Sequence, residues 1–131
     1  MKEFMGVDFL LKTKTSVELY EGFAKNLAIV DYHCHIDPRE IAENMQYENI
    51  AQMWLKGDHY KWRIMRANGV DEYYITEDAG DEEKFQKYAE SLANSPGNPL
   101  YHWSHMELNR YFNYKGVLNG KTAPYVWDHC N

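Results

Sequence analysis

The feature that most constrains this chain is a single short stretch, Leu27-Ala28-Ile29-Val30-Asp31-Tyr32-His33-Cys34-His35. Its apolar, β-branched run turns polar at its C-terminal end and predicts a buried strand over Ala28 to His33. Almost everything else in the 131 residues reads as helix. A lone strand can neither satisfy its own backbone nor make a sheet. Either two copies pair through it, or its sheet lies outside these residues.

The helical signals are explicit. Thr15-Ser16-Val17-Glu18 carries a capping-box pattern, followed by Leu19, Phe23 and Leu27 at helical spacing, and that helix is expected to end near Asn26. Asp37-Pro38-Arg39-Glu40 offers an N-cap, a proline at the first helical position and a second capping box. Further helices are predicted over Glu48 to Leu55, His59 to Ala67 (capped by Asp58, stopped by Gly69), Asp81 to Ala93 and Leu100 to Phe112. A last one is expected after Thr122, with Pro124 in its first turn, and Asn94-Ser95-Pro96-Gly97-Asn98-Pro99 reads as a loop. The fold expected is one unit, mostly α with one strand: residues 1–36 form a helix and the strand, and 37–131 a helical region.

Composition narrows the function. With 44% apolar and 26% charged residues the chain should fold, yet it is too short for an eight-stranded α/β barrel of about 250 residues. Fourteen Lys and Arg against twenty Asp and Glu give a formal charge of −6, which opposes nucleic-acid or anionic-membrane binding. No run approaches a membrane span of roughly 20 apolar residues, and the start lacks a secretory layout, so a cytoplasmic protein is expected. Cys34 and Cys130 form no C-x-x-C pair and read as reduced, buried thiols. Eleven Tyr and four Trp must pack internally or line a pocket.

Three clusters could carry chemistry. On an extended backbone His33 and His35 share a face and could ligate one metal ion while Cys34 points away, but two ligands are half a site, and an isolated H-x-H fits a pair of structural histidines equally well. In Gly57-Asp58-His59-Tyr60-Lys61-Trp62-Arg63-Ile64-Met65-Arg66, helical spacing puts His59, Arg63 and Arg66 near one face at a helix N-terminus, which suits a carboxylate or phosphate. The same spacing fits a solvated face with Trp62 and Met65 in the core. His102 and His105, three apart on a ring-rich helix, read as packing, and His129 is given no role. No Walker loop, Rossmann fingerprint, G-x-S-x-G or H-E-x-x-H occurs.

These blocks resemble the uronate (glucuronate) isomerases of the amidohydrolase superfamily. The resemblance runs in order through Met1-Lys2-Glu3-Phe4-Met5-Gly6 with Asp8-Phe9-Leu10-Leu11, then Asp31-Tyr32-His33-Cys34-His35, then Trp54-Leu55 with Gly57-Asp58-His59-Tyr60-Lys61-Trp62-Arg63. It continues through Met65-Arg66-Ala67-Asn68-Gly69-Val70 and Gly97-Asn98-Pro99-Leu100-Tyr101-His102-Trp103. The family's chain is roughly three times longer and folds as a TIM-type α/β barrel, so this sequence looks like its N-terminal fragment, with the helices after Asp37 as the insertion following strand 1.

The resemblance implies interconversion of glucuronate with fructuronate, or galacturonate with tagaturonate, by a C2-to-C1 proton shift through an enediol-like intermediate. It implies His33 and His35 as ligands of a divalent cation, zinc by preference. It places His59, Tyr60 and Arg63 in the hexuronate pocket, with Tyr60 the candidate for proton exchange. The family's remaining ligand, base and carboxylate-binding Arg have no counterpart here, so the chain alone is expected to be inactive and to self-associate through uncovered surfaces. Two other readings remain: a metal-dependent hydrolase of the same superfamily, or a helical binding or assembly module without chemistry.

Overall fold

A computed structural model describes residues 3–131, leaving Met1 and Lys2, and with them the start of the first block quoted above, outside the described residues. The chain falls into two compact units, Met1–Cys34 and His35–Asn131.

Among the described residues of the first unit, none is buried. Its helix α1, Lys14–Leu19, continues into a π-helical turn, Tyr20–Ala24. The cap is Thr13 rather than Thr15: Thr13 Oγ1 accepts from the Ser16 N–H at 3.0 Å, and Ser16 Oγ accepts from the Thr13 N–H at 3.0 Å. Serine at the third position thus serves where the capping pattern usually has glutamate. Exposed i,i+4 pairs, Lys14 with Glu18 and Lys25 with Glu21, decorate the helix. Leu19 and Phe23, spaced as if for a core, are exposed.

The strand predicted over Ala28 to His33 does not form. Residues 28–34 carry no regular secondary structure, and Ile29 and Val30 are 90% and 83% exposed. No strand occurs anywhere among the described residues. The physical reason is the one the sequence raised: a strand exists only with a partner to share its ladder, and this chain offers none.

The second unit holds the core. Helix α2, Pro38–Ala42, starts at Asp37, whose Oδ1 accepts from the Arg39 N–H at 2.8 Å. Glu40 is not the capping-box partner expected of it; it accepts from the Tyr47 hydroxyl at 2.9 Å and faces Lys56. Helix α3, Ile50–Leu55, is capped by Asn49 instead of beginning at Glu48. Then follow α4, His59–Ala67; a 3-10 turn, Glu72–Tyr74; α5, Asp81–Ala93; α6, Pro99–Phe112; and α7, Ala123–Cys130. Gly69, at φ +75°, supplies the left-handed residue that ends α4. Asn113, at φ +53°, does the same for α6.

Helix α5 is central and packs against α3, α4, α6, α7 and the 3-10 turn. Its Phe85, Tyr88, Ala89 and Leu92 recur at i, i+3, i+4 and i+7 and are all essentially inaccessible. Trp54 of α3 lies 6.1 Å from Phe85 and 5.9 Å from Tyr88, ring centre to ring centre, and Trp127 of α7 lies 5.7 Å from Phe85. Of the aromatic excess, Trp54, Phe85 and Tyr88 are core, whereas Tyr32, Trp103, Tyr111 and Tyr125 among others are exposed. The Tyr88 hydroxyl and Ser104 Oγ share a hydrogen bond of 2.8 Å inside it. No described helix is long and apolar enough to cross a membrane.

His105 takes the structural role expected of it. Its Nε2 accepts from the Leu118 N–H at 2.9 Å, so the Nδ1, 2.6 Å from the Tyr101 carbonyl, carries the proton. Burial lowers its affinity for a second proton, outweighing the Tyr101 carbonyl that favours it, and nearby His102 adds to the lowering. A histidine whose folded value lies below the unfolded one contributes stability fully above about pH 6.5, and that contribution falls away as pH drops toward the folded value. The urea midpoint should therefore fall between pH 7 and 5, and the fall should be smaller in His105→Gln, whose amide can still bridge both backbone groups. Equal pH slopes in the two proteins would remove His105 as the cause.

The cysteine expectation needs correcting. Cys34 is exposed, because it sits in the segment without a sheet to cover it; Cys130 is half-buried, and burial pushes its thiol up to about 11. The two are not disulfide-bonded.

Candidate functional site

Helix α4 begins where the second unit gathers its polar side chains. Asp58 caps it: Oδ1 accepts from the Tyr60 N–H at 3.0 Å and the Lys61 N–H at 3.3 Å. The same oxygen lies 3.1 Å from His35 Nδ1, and Oδ2 accepts from Lys61 Nζ at 2.6 Å. Lys61 is itself 8% exposed, with its ammonium over the Trp54 ring at 5.9 Å. Burial alone would raise the Asp58 carboxyl. The Lys61 hydrogen bond and charge, with His35 and the Lys61 amide behind them, outweigh it and hold Asp58 below the usual carboxylate range. Burial pushes the neighbouring Glu107 carboxyl the other way, up, against the pull of Lys61.

Above this carboxylate three rings meet. His35 stacks on His59 with centres 4.9 Å apart and planes at 28°, and Tyr60 lies 4.6 Å from His35 and 4.7 Å from His59. The Arg63 guanidinium sits over the Tyr60 ring at 5.6 Å. His59, Tyr60 and Arg63 are exposed, and His35 is mostly buried. Thus His35, His59, Tyr60 and Arg63 form one cluster.

Arg66 does not join it. One turn further on, it is taken by Glu72 of the 3-10 turn, with Nε donating to Oε2 at 2.9 Å. The basic face read from helical spacing is thereby shortened to His59 and Arg63, because a nearer carboxylate competes for the third member. His33 lies in the first unit, exposed, with its backbone N–H donating to Asp31 Oδ1 at 3.1 Å.

A cleft of about 210 Å³ opens beside His35, lined by Asp37, Glu40, Tyr47 and Lys56 among others, and not by His59, Tyr60 or Arg63. Imidazole nitrogens are the donors that zinc and similar divalent cations take, and an Nδ1 held by a carboxylate is the usual setting of a ligating histidine. His35 fits in chemistry. Two histidines remain short of the three or four donors required, and among the described residues no three His, Cys, Asp or Glu side chains converge on a point a metal ion could occupy.

The sequence marks Asp58 as a cap and leaves Lys61 off the basic face of His59, Arg63 and Arg66. The i,i+3 spacing of Asp58 and Lys61 at a helix start was the available signal. The long-range partner, His35, was not visible in it.

The fold of this chain is shared with a known isomerase. The crystal structure of a uronate isomerase from Thermotoga maritima superposes on 98% of this chain with a TM-score of 0.88 at 38% identity, using 28% of its own length. The chain belongs to the glucuronate isomerase family, whose pattern it matches over residues 1–131. It is 64% identical over its whole length to the uronate isomerase of Lachnospira eligens and 53% identical to that of Bacillus subtilis. In each case it spans only 28% of the relative's length.

Proposed function

We propose that this chain supplies the first strand and part of the active site of a uronate isomerase, an enzyme that interconverts an aldohexuronate and its ketohexuronate by moving a proton between C2 and C1. The observation that carries this reading is the seating of His35 against His59 and Tyr60, at 4.9 and 4.6 Å, within a chain of that family. In the complete TIM-type barrel of the amidohydrolase kind, residues 28–33 pair with further strands, and the helices after Asp37 form the insertion that follows the first strand.

His33 and His35 would hold a divalent cation, zinc by preference, together with ligands from later strands. When bound, such an ion polarises the sugar's carbonyl and hydroxyl oxygens and eases loss of the C2 proton. The residues of this chain do the rest of their share at fixed positions. Tyr60 Oη would exchange a proton with a sugar hydroxyl. His59 binds a second hydroxyl. Arg63, over the face of Tyr60, supports that ring and contributes positive charge toward an anionic substrate. The base, the further ligands and the group that binds the uronate carboxylate come from the rest of the longer, cytoplasmic protein. Surfaces left uncovered in the short chain favour self-association.

The test compares two proteins. The 131-residue chain alone should bind zinc or manganese weakly and show no turnover of glucuronate or galacturonate. The full-length protein should isomerise them, and chelation should abolish this. Turnover by the short chain, or hydrolysis of lactones or amides in place of isomerisation by the long one, would overturn the assignment.

A further inference from the structure

We propose that Asp58 is a positioning residue for His35: its Oδ1 fixes the imidazole as the Nδ1–H tautomer and so places the ring's lone pair on Nε2. The assignment of that lone pair to a metal ion rests on the function proposed above; the tautomer does not.

The geometry is specific. A carboxylate paired with an ammonium only accepts hydrogen bonds, so the 3.1 Å contact between His35 Nδ1 and Asp58 Oδ1 requires the proton on Nδ1. The carboxylate cannot swing, because Lys61 Nζ holds Oδ2 at 2.6 Å while the Tyr60 and Lys61 amides hold Oδ1. The His35 and Asp58 side chains are 20% and 13% exposed, so water competes little for the bond. Stacking on His59 and contact with Tyr60 fix the ring's plane. Which imidazole nitrogen bears the proton is set by the hydrogen bond at the other, and carboxylates that orient ligating histidines are worth about 10- to 100-fold in metal affinity.

Asp58 does this while capping the helix that begins His59-Tyr60. One carboxylate therefore ties the histidine to the two side chains assigned to the substrate, and their spacing is set by a single rigid group rather than by the chain between residues 35 and 58.

The experiment is long-range proton–nitrogen correlation on the ¹⁵N-labelled 131-residue chain at a pH of about 8.5, well above the usual histidine value of about 6.5. His35 should show a protonated Nδ1 and an unprotonated Nε2. In Asp58→Ser the shorter side chain still caps the helix but no longer reaches His35. Its far-UV circular dichroism should be unchanged while His35 moves to a mixture dominated by the Nε2–H form. A wild-type His35 with its proton on Nε2 overturns the proposal whether or not the variant folds, and so does an unchanged His35 spectrum in a folded Asp58→Ser chain. In the full-length protein, which supplies the remaining ligands, zinc should then perturb the His35 nitrogens. If the tautomer is as stated and zinc leaves them unmoved, the metal-ligand reading fails and the hold of Asp58 on the ring stands.

Discussion

In the full-length protein, His35→Ala should lower kcat/KM for glucuronate by about 10³-fold or more, a loss of roughly 4 kcal/mol of transition-state stabilisation. The change removes an assigned metal ligand and also leaves Asp58 and Lys61 as a buried ion pair with one hydrogen-bond partner fewer. Metal content should fall with activity. Tyr60→Phe separates chemistry from packing, since it keeps the ring against His35 and His59 and deletes only the hydroxyl. A proton-exchanging Tyr60 should then cost about 10²- to 10⁴-fold in kcat with metal content intact. Arg66→Ala provides the contrast: its guanidinium is committed to Glu72, away from the ring cluster, and activity should be unchanged. Steady-state kinetics with metal analysis on the purified variants decide the matter. A His35→Ala enzyme within about threefold of the wild type would remove this histidine from the active site.

How much of this was legible in the sequence varies with the range of the interaction. Helices α4 and α5 lie where local signals put them, because Asp58, Gly69 and the Phe85-Tyr88-Ala89-Leu92 spacing act over one or two turns. The exact caps of α1 and α3 were missed for a similar reason: Thr13 competes with Thr15, and Asn49 with Glu48, within the same few residues. The placing of His59 and Tyr60 in the first turn of α4, after the Asp58 cap, was local and readable. The seating of His35 on Asp58, 23 residues away, was not, since nothing in either segment encodes the other. Arg66 shows the opposite failure: its spacing was right for the basic face, and an unforeseen neighbour, Glu72, redirected it.

The strand is the sharpest case, and it yields the second large prediction. Its composition calls for burial, yet Ile29 is 90% exposed here. The contradiction disappears if the covering strands belong to the 72% of the relatives' length that this chain does not match, the complement of its 28% share. In the 131-residue chain, Ile29→Ala should change unfolding free energy by less than about 0.5 kcal/mol, as for any exposed side chain. In the full-length protein the same substitution should cost about 2–5 kcal/mol, because a side chain enclosed by a sheet leaves a cavity. Leu92→Ala calibrates both, since Leu92 is fully inaccessible within the second unit and should cost about 2–5 kcal/mol in either protein. Denaturant unfolding of the four variants measures the difference. A small effect of Ile29→Ala in the long protein would leave residues 28–33 outside any sheet, and with the sheet would go the proposed pairing of His33 and His35 on one cation.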